Sequence, residues 1–228
     1  MTHTTYYSQA SAAQSETHDA YLTRSTDPTN NTWASFRTGA GTHSSYDSAS
    51  LLARIMSGSS AWIVFMRSQM TYNTSDIGTD DITSAKWESV ARDTSATDHF
   101  TASVTLCASN PTYNSYSTAG DSANDYSRVG TTKYSADLAI ASQTHDNSTY
   151  TTFNMNAAGL DAIDKTGITK LGIIITEDFD DDEPDESHSY GANTEWKCWS
   201  TDETESGERR PRLVVTHASP FTPKAIMF

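Results

Sequence analysis

The chain has 228 residues, with 15 Lys and Arg against 29 Asp and Glu, which gives a net charge of −14 at pH 7. A negative surface repels phosphate groups, so we expect no nucleic-acid partner and no attraction to anionic membranes. No segment approaches the ~20 consecutive apolar residues that cross a bilayer, so we expect no membrane insertion. If Met1 is the natural start, the opening residues lack the basic and apolar regions of a secretory signal peptide.

Ser, Thr and Asn dominate the composition, while charged residues make up 19% and aromatic residues 10%. Thr, Tyr, Trp and Val suit a pleated, half-buried surface. Ser, Asn and Asp favour turns because their side chains hydrogen-bond to the nearby backbone. This composition predicts many short strands joined by polar loops.

The two cysteines, Cys107 and Cys198, are too few for a disulfide framework or a four-cysteine zinc site. A single bridge between them is one alternative. We favour free, buried thiols, because nothing in the sequence indicates export to an oxidising compartment.

In the first half of the chain, short alternating segments predict strands. They are residues 5–9, 20–24, 33–37, 61–72, 82–90 and 100–106. The strongest is 61–72, where Trp62, Val64 and Met66 fall on one face and Phe65 and Arg67 on the other. Because both faces are partly apolar, we expect this strand to lie between two layers.

The second half continues the pattern after a polar stretch at 110–124 that we interpret as a surface loop. Strands are predicted at residues 134–140, 150–155, 168–176, 196–201 and 213–217. Asn156 is placed to cap a short helix over 157–165, with Gly167 as its stop. Residues 168–176 are the most apolar run and predict a central strand. The pattern as a whole predicts an all-β antiparallel sandwich with one short helix.

Three stretches carry a resemblance to a known family. Residues 65–77 read F-M-R-S-Q-M-T-Y-N-T-S-D-I and are followed by I-T-S-A-K-W at 82–87. Residues 153–168 contain F-N-M-N-A-A-G-L and K-T-G-I. Residues 199–217 begin W-S-T-D-E and end R-P-R-L-V-V-T-H. In order and spacing they resemble jelly-roll modules of phage and environmental sequences, related to the DNRLRE-type carbohydrate-binding-like family.

The resemblance covers residues 4–217, with Asn73 where the family usually has Asp and Trp87 where it usually has Leu. It implies a jelly-roll domain over residues 1–217 that serves in display, adhesion or virion assembly, and it supplies no catalytic residue. Residues 218–228 then form an extended tail. Fold alone does not fix function.

The acidic segment 177–186 is the sharpest chemical feature. Calcium binds several carboxylate oxygens at once, and Asp178, Asp180, Asp181 and Asp182 are the candidate ligands. The segment lacks the glycine and terminal glutamate of an EF-hand loop. Because runs of like charge are usually solvated, a flexible loop without a cofactor is the favoured alternative.

Exposed aromatic side chains are the second candidate site. Tyr113, Tyr116, Tyr126 and Tyr190 lie in polar, loop-like context, and aromatic rings stack on sugars and on protein partners. The alternative is that these tyrosines pack over the edge of the sandwich. The tryptophans at 62, 87, 196 and 199 fall within predicted strands and are expected in the core.

No motif for catalysis is present: the seven histidines are dispersed, and no nucleophile elbow, zinc-protease or phosphate-loop pattern occurs. We therefore expect a protein that is not an enzyme. The leading hypothesis is a virion structural protein of a phage-like particle, located on the virion surface and contacting capsid or tail proteins, with host glycans as a further contact. The alternative is a carbohydrate-binding or adhesin module of a secreted bacterial protein.

The tail predicts self-association. Pro220 and Pro223 keep it extended, and the side chains of Phe221, Ile226, Met227 and Phe228 are apolar up to the last residue. Burying large apolar side chains contributes roughly 1.5–3 kcal/mol each, enough to dock a short peptide. The tail is predicted to pack on its own sandwich or, as we favour, on a neighbouring copy in a homotrimer.

Overall fold

A computed structural model describes residues 1–8, 19–25, 32–45, 50–58, 61–92, 97–111, 125–144, 146–184, 191–201 and 209–219. Within these ranges the strands are β1 Thr2–Tyr7, β2 Asp19–Ser25, β3 His43–Ser45, β4 Ser50–Ser57, β5 Trp62–Asn73, β6 Asp81–Val90, β7 Thr97–Asp98, β8 Ser103–Ser109, β9 Val129–Lys133, β10 Leu138–Ala139, β11 Tyr150–Asn154, β12 Ile168–Ile175, β13 Asn193–Trp199 and β14 Arg212–Ala218. The helices are α1 Trp33–Thr38, α2 Ala157–Asp161 and α3 Thr176–Asp180, with a 3₁₀ turn at Ile140–Ser142.

The strands form two antiparallel sheets that pack as a jelly-roll-like sandwich. The smaller sheet has the order β1-β14-β6-β11. The larger one has the main order β10-β8-β12-β5-β4-β13-β7, with β2 and β3 added beside β5 and β9 beside β8. The first and last described strands, β1 and β14, pair from Thr2 opposite His217 to Tyr7 opposite Arg212. The two ends of the fold are therefore joined in one sheet.

Large aromatic side chains fill the space between the sheets. Trp87 of β6 lies 6.1 Å from Trp196 of β13 and 5.4 Å from Phe153 of β11, measured between ring centroids. Its indole Nε1 donates to the hydroxyl of Tyr72 on β5 at 2.7 Å. All four rings are buried. Such burial stabilises the sandwich, and the hydrogen bond satisfies two polar atoms that would otherwise be buried without partners.

A second aromatic cluster fixes α1 against β5. Trp33 lies 4.9 Å from both Trp62 and Phe65, and Phe36 lies 5.1 Å from Phe65. Because side chains alternate along a strand, Phe65 shares its face of β5 with Arg67. This face carries the buried charge described below.

The all-β prediction is confirmed, and several elements lie where the pattern places them. The strand predicted at 61–72 is β5, that at 82–90 is β6, and that at 168–176 is β12, which lies between β5 and β8. Ile174 on β12 is 1% exposed. The helix cap is also confirmed, since the Asn156 side chain accepts the Gly159 N–H at 3.0 Å.

Two local predictions are wrong, and one strand was missed. Residues 33–37 form α1 and not a strand, because Thr32 Oγ1 caps the Ser35 N–H and the three-residue spacing of Trp33 and Phe36 places both on one buried face. Residues 134–140 hold only the short β10, because the longer strand β9 ends before them at Lys133. Strand β4 was not predicted, although buried Leu51, Ala53 and Ile55 alternate along it.

Cys107 and Cys198 are free and buried, as predicted. Burial raises the pKa of the Cys107 thiol to about 12. The thiolate is therefore absent at neutral pH, and both thiols act as small apolar core groups.

Candidate functional site

The acidic segment begins as helix α3, directly after the central strand β12. Asp178 within it is 2% exposed, so the prediction of a solvated loop is wrong for this residue. Its carboxylate accepts two hydrogen bonds from Arg67 on β5, one from Nε and one from Nη2, both at 2.8 Å. Burial disfavours the charged guanidinium, but the neighbouring carboxylate raises the pKa of Arg67 above its ordinary value. This is a buried, two-pronged ion pair.

The other carboxylates of the segment diverge to separate partners. Asp180 pairs with Lys133 at 2.7 Å, and Asp181 pairs with Arg37 at 2.6 Å. Asp181 also accepts the indole N–H of Trp33 at 3.1 Å. Asp182 is exposed. No group of three His, Cys, Asp or Glu side chains within the described ranges is placed to hold a metal ion. The four candidate calcium ligands are thus not brought together.

The predicted aromatic and assembly residues have different outcomes. Tyr126 is fully buried, and its ring lies 4.2 Å from the Arg67 guanidinium, so for this residue the packing alternative is confirmed and the exposed binding role is wrong. Its backbone carbonyl also accepts from Arg67 Nη1 at 3.0 Å. The sequence offered packing as an alternative but could not indicate Arg67 as the partner, because the polar stretch around Tyr126 resembles a solvated loop. The residues that lie outside the described ranges are Tyr113, Tyr116, Tyr190, Phe221, Ile226, Met227 and Phe228.

A hydrogen-bonded line of Thr4, His217 and Asp80 has the residue types of an acyl-transfer triad. Thr4 Oγ1 lies 2.9 Å from His217 Nε2, and His217 Nδ1 lies 2.8 Å from Asp80 Oδ2. His217 is only 7% exposed, and the neighbouring Tyr6 hydroxyl donates to Asp76 at 2.8 Å. Both carboxylates belong to the β5–β6 connection. We therefore assign this line to holding that connection against the smaller sheet.

The outer face of the smaller sheet is the surface best suited to contact a ligand. Tyr6, Leu213, Trp87 and Phe153 lie opposite one another in the register and point inward. Their neighbours along the strands therefore point outward. These outward residues, called the outer face below, are His3, Thr5, Tyr7, Ser84, Lys86, Glu88, Tyr150, Thr152, Asn154, Arg212, Val214 and Thr216.

The outer face is poor in acid, although the chain carries 29 acidic residues. Glu88 is the acidic residue on it, and its side chain is 5% exposed, against 43% for Lys86 and 30% for Arg212. Tyr7 is 44% exposed. A ligand approaching this face therefore meets cationic groups, hydroxyls and an aromatic ring, while the carboxylate lies beneath them.

Glu88 organises these groups. It accepts from Lys86 Nζ at 2.6 Å, from Arg212 Nε at 2.7 Å and from Thr152 Oγ1 at 3.2 Å. The Arg212 guanidinium also lies 3.9 Å from the centroid of the Tyr150 ring. Partial burial acts to raise the pKa of Glu88, but the hydrogen bonds from Lys86 and Arg212 outweigh it and hold that pKa below its ordinary value. The cationic side chains are thus fixed in position.

Sequence reasoning missed this face. Its residues come from four strands that span nearly the whole chain, from His3 to Thr216. Alternation within each strand indicates which residues point outward. The pairing that places Arg212 between Tyr7 and Glu88 leaves no local signal.

The chain matches no protein-family model, and no curated protein matches it. None of the helices in the described part of the chain has the length and apolarity needed to cross a bilayer.

Replacing Asp178 with Asn should destabilise the protein by about 3–5 kcal/mol, because Arg67 would stay buried without a counter-charge. The exposed Asp182→Asn in the same segment is the matched control and should change stability by less than about 0.5 kcal/mol. Urea denaturation of both variants measures the difference. Equal, small losses of unfolding free energy in both variants would mean that the Arg67–Asp178 ion pair does not hold the acidic segment in place.

Replacing Glu88 with Gln should lower stability by up to about 1 kcal/mol at neutral pH, since the pair is partly exposed. A carboxyl group whose pKa is lowered on folding stabilises the folded protein at pH values above its unfolded pKa of about 4.3. This stabilisation is lost as the pH falls through the lower pKa of the folded state. The gap between wild type and Glu88→Gln should therefore close on acidification. Denaturant melts at about pH 7 and pH 3 check this, and a gap that does not change with pH would contradict it.

Proposed function

We propose that the protein is a non-enzymatic structural module of a phage-like virion that contacts glycans on the host surface. The observation that carries the proposal is the acid-poor outer face of a strongly acidic chain. Hydroxyl, amide and guanidinium groups suit the hydroxyls of sugars, and the exposed Tyr7 ring offers a stacking surface.

The size of the outer face favours a glycan over a protein partner. Four strands about 4.8 Å apart and about 20 Å long cover roughly 400 Å². A stable protein–protein interface buries about 800 Å² on each partner. The face is about half that size, which is adequate for a short stretch of sugar units.

Assembly into a particle then needs another surface. The tail at 218–228 stays our predicted assembly element, through which the chain forms a homotrimer or docks on capsid or tail proteins. A second copy carries the same net charge of −14, so an apolar tail suits self-association better than the acidic body does.

The second candidate function is a carbohydrate-binding or adhesin module of a secreted bacterial protein. The same outer face favours it, because glycan contact is common to both functions. The two differ in where the protein is found.

The location is tested by mass spectrometry of density-gradient-purified virus particles from a sample that carries the gene. We expect the chain at a copy number comparable with other structural proteins, and at the particle surface by accessibility to protease or antibody. Its absence from particles together with its presence in the secreted or cell-envelope fraction would replace the virion proposal with the adhesin function.

Glycan contact is tested by isothermal titration of polysaccharides from host cell surfaces. The double variant Tyr7→Ala with Lys86→Ala should lower affinity at least about tenfold, or ~1.4 kcal/mol. Lys170→Ala, on β12 of the other sheet, is the matched control and should bind like wild type. Binding by wild type that the double variant leaves unchanged would remove the outer face from the proposal.

A further inference from the structure

Strand β1 lies at the edge of the smaller sheet, and β14 is its one strand neighbour in the described part of the chain. In an antiparallel pair, the backbone N–H and C=O groups of every second residue point away from the partner strand. On β1 these groups have no backbone hydrogen-bond partner within the described ranges. Such an open row of donors and acceptors is a template for one more strand.

Side-chain contacts hold β1 in position. Tyr6 is 7% exposed, and its hydroxyl donates to Asp76 at 2.8 Å. Thr4 Oγ1 lies 2.9 Å from Nε2 of His217 on β14. Because the strand is already ordered, it loses little further conformational freedom when another strand pairs with it.

Several other sheet edges are short or lie against neighbouring chain. At the two ends of the larger sheet's main order, β7 and β10 have two residues each. At the opposite edge of the smaller sheet, the chain directly after β11 is approached by the 134–135 segment. There Met155 forms a bridge to Ser135, and the Asn156 N–H donates to the Tyr134 carbonyl at 2.8 Å.

The sequence of β1 lacks the residues that usually protect an exposed edge. The strand has six residues, Thr2–Tyr7, and contains no Pro, Lys, Arg, Asp or Glu. Charged residues and proline are the common means of preventing strand addition. Thr and Tyr instead favour strand pairing.

A second copy of the same strand is the occupant that the charges favour. The chain has a net charge of −14, so contact between two copies is disfavoured wherever exposed carboxylates meet. The acidic residue on the adjoining outer face, Glu88, has a side chain that is 5% exposed. Asp76 and Asp80, beside β1, are hydrogen-bonded to Tyr6 and His217. Pairing along β1 therefore brings no exposed carboxylate of the strand against its counterpart.

The strand is also suited to pairing with itself. A two-fold axis places the same surface on both sides of a contact, so one sequence supplies both halves. Residues opposite each other in an antiparallel pair lie on the same face of the sheet. The outward residues His3, Thr5 and Tyr7 of one copy would thus face those of the other, and the two outer faces would form one continuous surface.

We propose that β1 is a strand-addition edge at which two copies of the chain pair antiparallel, joining two four-stranded sheets into one continuous sheet. The contact is separate from the predicted tail contact, and it stands independently of glycan binding. Pairing over six residues buries less than the roughly 1,600 Å² of a standard interface. We therefore expect a weak association that depends on protein concentration.

The first test follows hydrogen exchange of the β1 backbone amides in the ¹⁵N-labelled full chain, at low and at high protein concentration. We expect the amides that point away from β14 to become protected as the concentration rises. The intervening amides, bonded to β14, should be protected at both concentrations and are the internal control. Association through the tail alone would leave the outward amides unprotected.

The second test places charge at Thr5, which is exposed in the middle of the strand. Thr5→Lys and Thr5→Glu should each weaken self-association at least about tenfold, because like charges would meet across the axis. An equimolar mixture of the two variants should restore it, as measured by sedimentation velocity. Val214 lies opposite Thr5 on β14, one strand in from the edge. The matched controls Val214→Lys and Val214→Glu should associate like wild type.

Thermal melts establish that each variant is folded, and the exchange measurement on the wild-type chain needs no variant. Outward β1 amides whose protection does not change with concentration would overturn the proposal. If they are already protected in the most dilute sample, the chain itself covers the edge. A mixture of Thr5→Lys and Thr5→Glu that associates no better than either variant alone would also contradict it.

Discussion

The buried ion pair between Arg67 and Asp178 ties together parts of the chain that are far apart in sequence. Arg67 lies on β5, which pairs with β2, β4 and β12, and Asp178 lies on α3 directly after β12. The same guanidinium donates to the carbonyls of Tyr126 and of Arg37 at the end of α1. Removing Asp178 would leave the Arg67 guanidinium buried without its counter-charge, and removing Arg67 would leave Asp178 with Arg37 at 3.7 Å as its remaining cationic neighbour.

The acidic segment after β12 contributes to this arrangement through most of its described carboxylates. Asp178, Asp180 and Asp181 pair with Arg67, Lys133 and Arg37. Glu183 accepts the indole N–H of Trp62. These contacts fix the segment to α1 and to strands β5 and β9 of the larger sheet.

Charge is also unevenly distributed over the surface. The outer face of the smaller sheet carries Glu88 beneath Lys86 and Arg212. In a chain of net charge −14, this face therefore presents few exposed carboxylates.

Local sequence determined the parts of the fold that depend on short-range physics. The alternation at 61–72 and 82–90 identified β5 and β6, and the apolar run at 168–176 identified the central strand. Asn156 identified the helix cap, since capping needs only a side chain and an N–H three residues away. Residues 33–37 were predicted wrongly because five residues do not separate a strand from a capped helical turn.

Tertiary structure alone decided which side chains meet. An isolated acidic run is expected in solvent, and Asp178 is buried only because β5 presents Arg67 to it across more than a hundred residues of chain. Tyr126 stacks on the same guanidinium for the same reason. The outer face exists because β1 pairs with β14 and β14 with β6. Strand register joins residues that are far apart in the chain through hydrogen bonds. Local sequence therefore indicated most of the longer strands, whereas only the tertiary fold brought together the residues of the outer face.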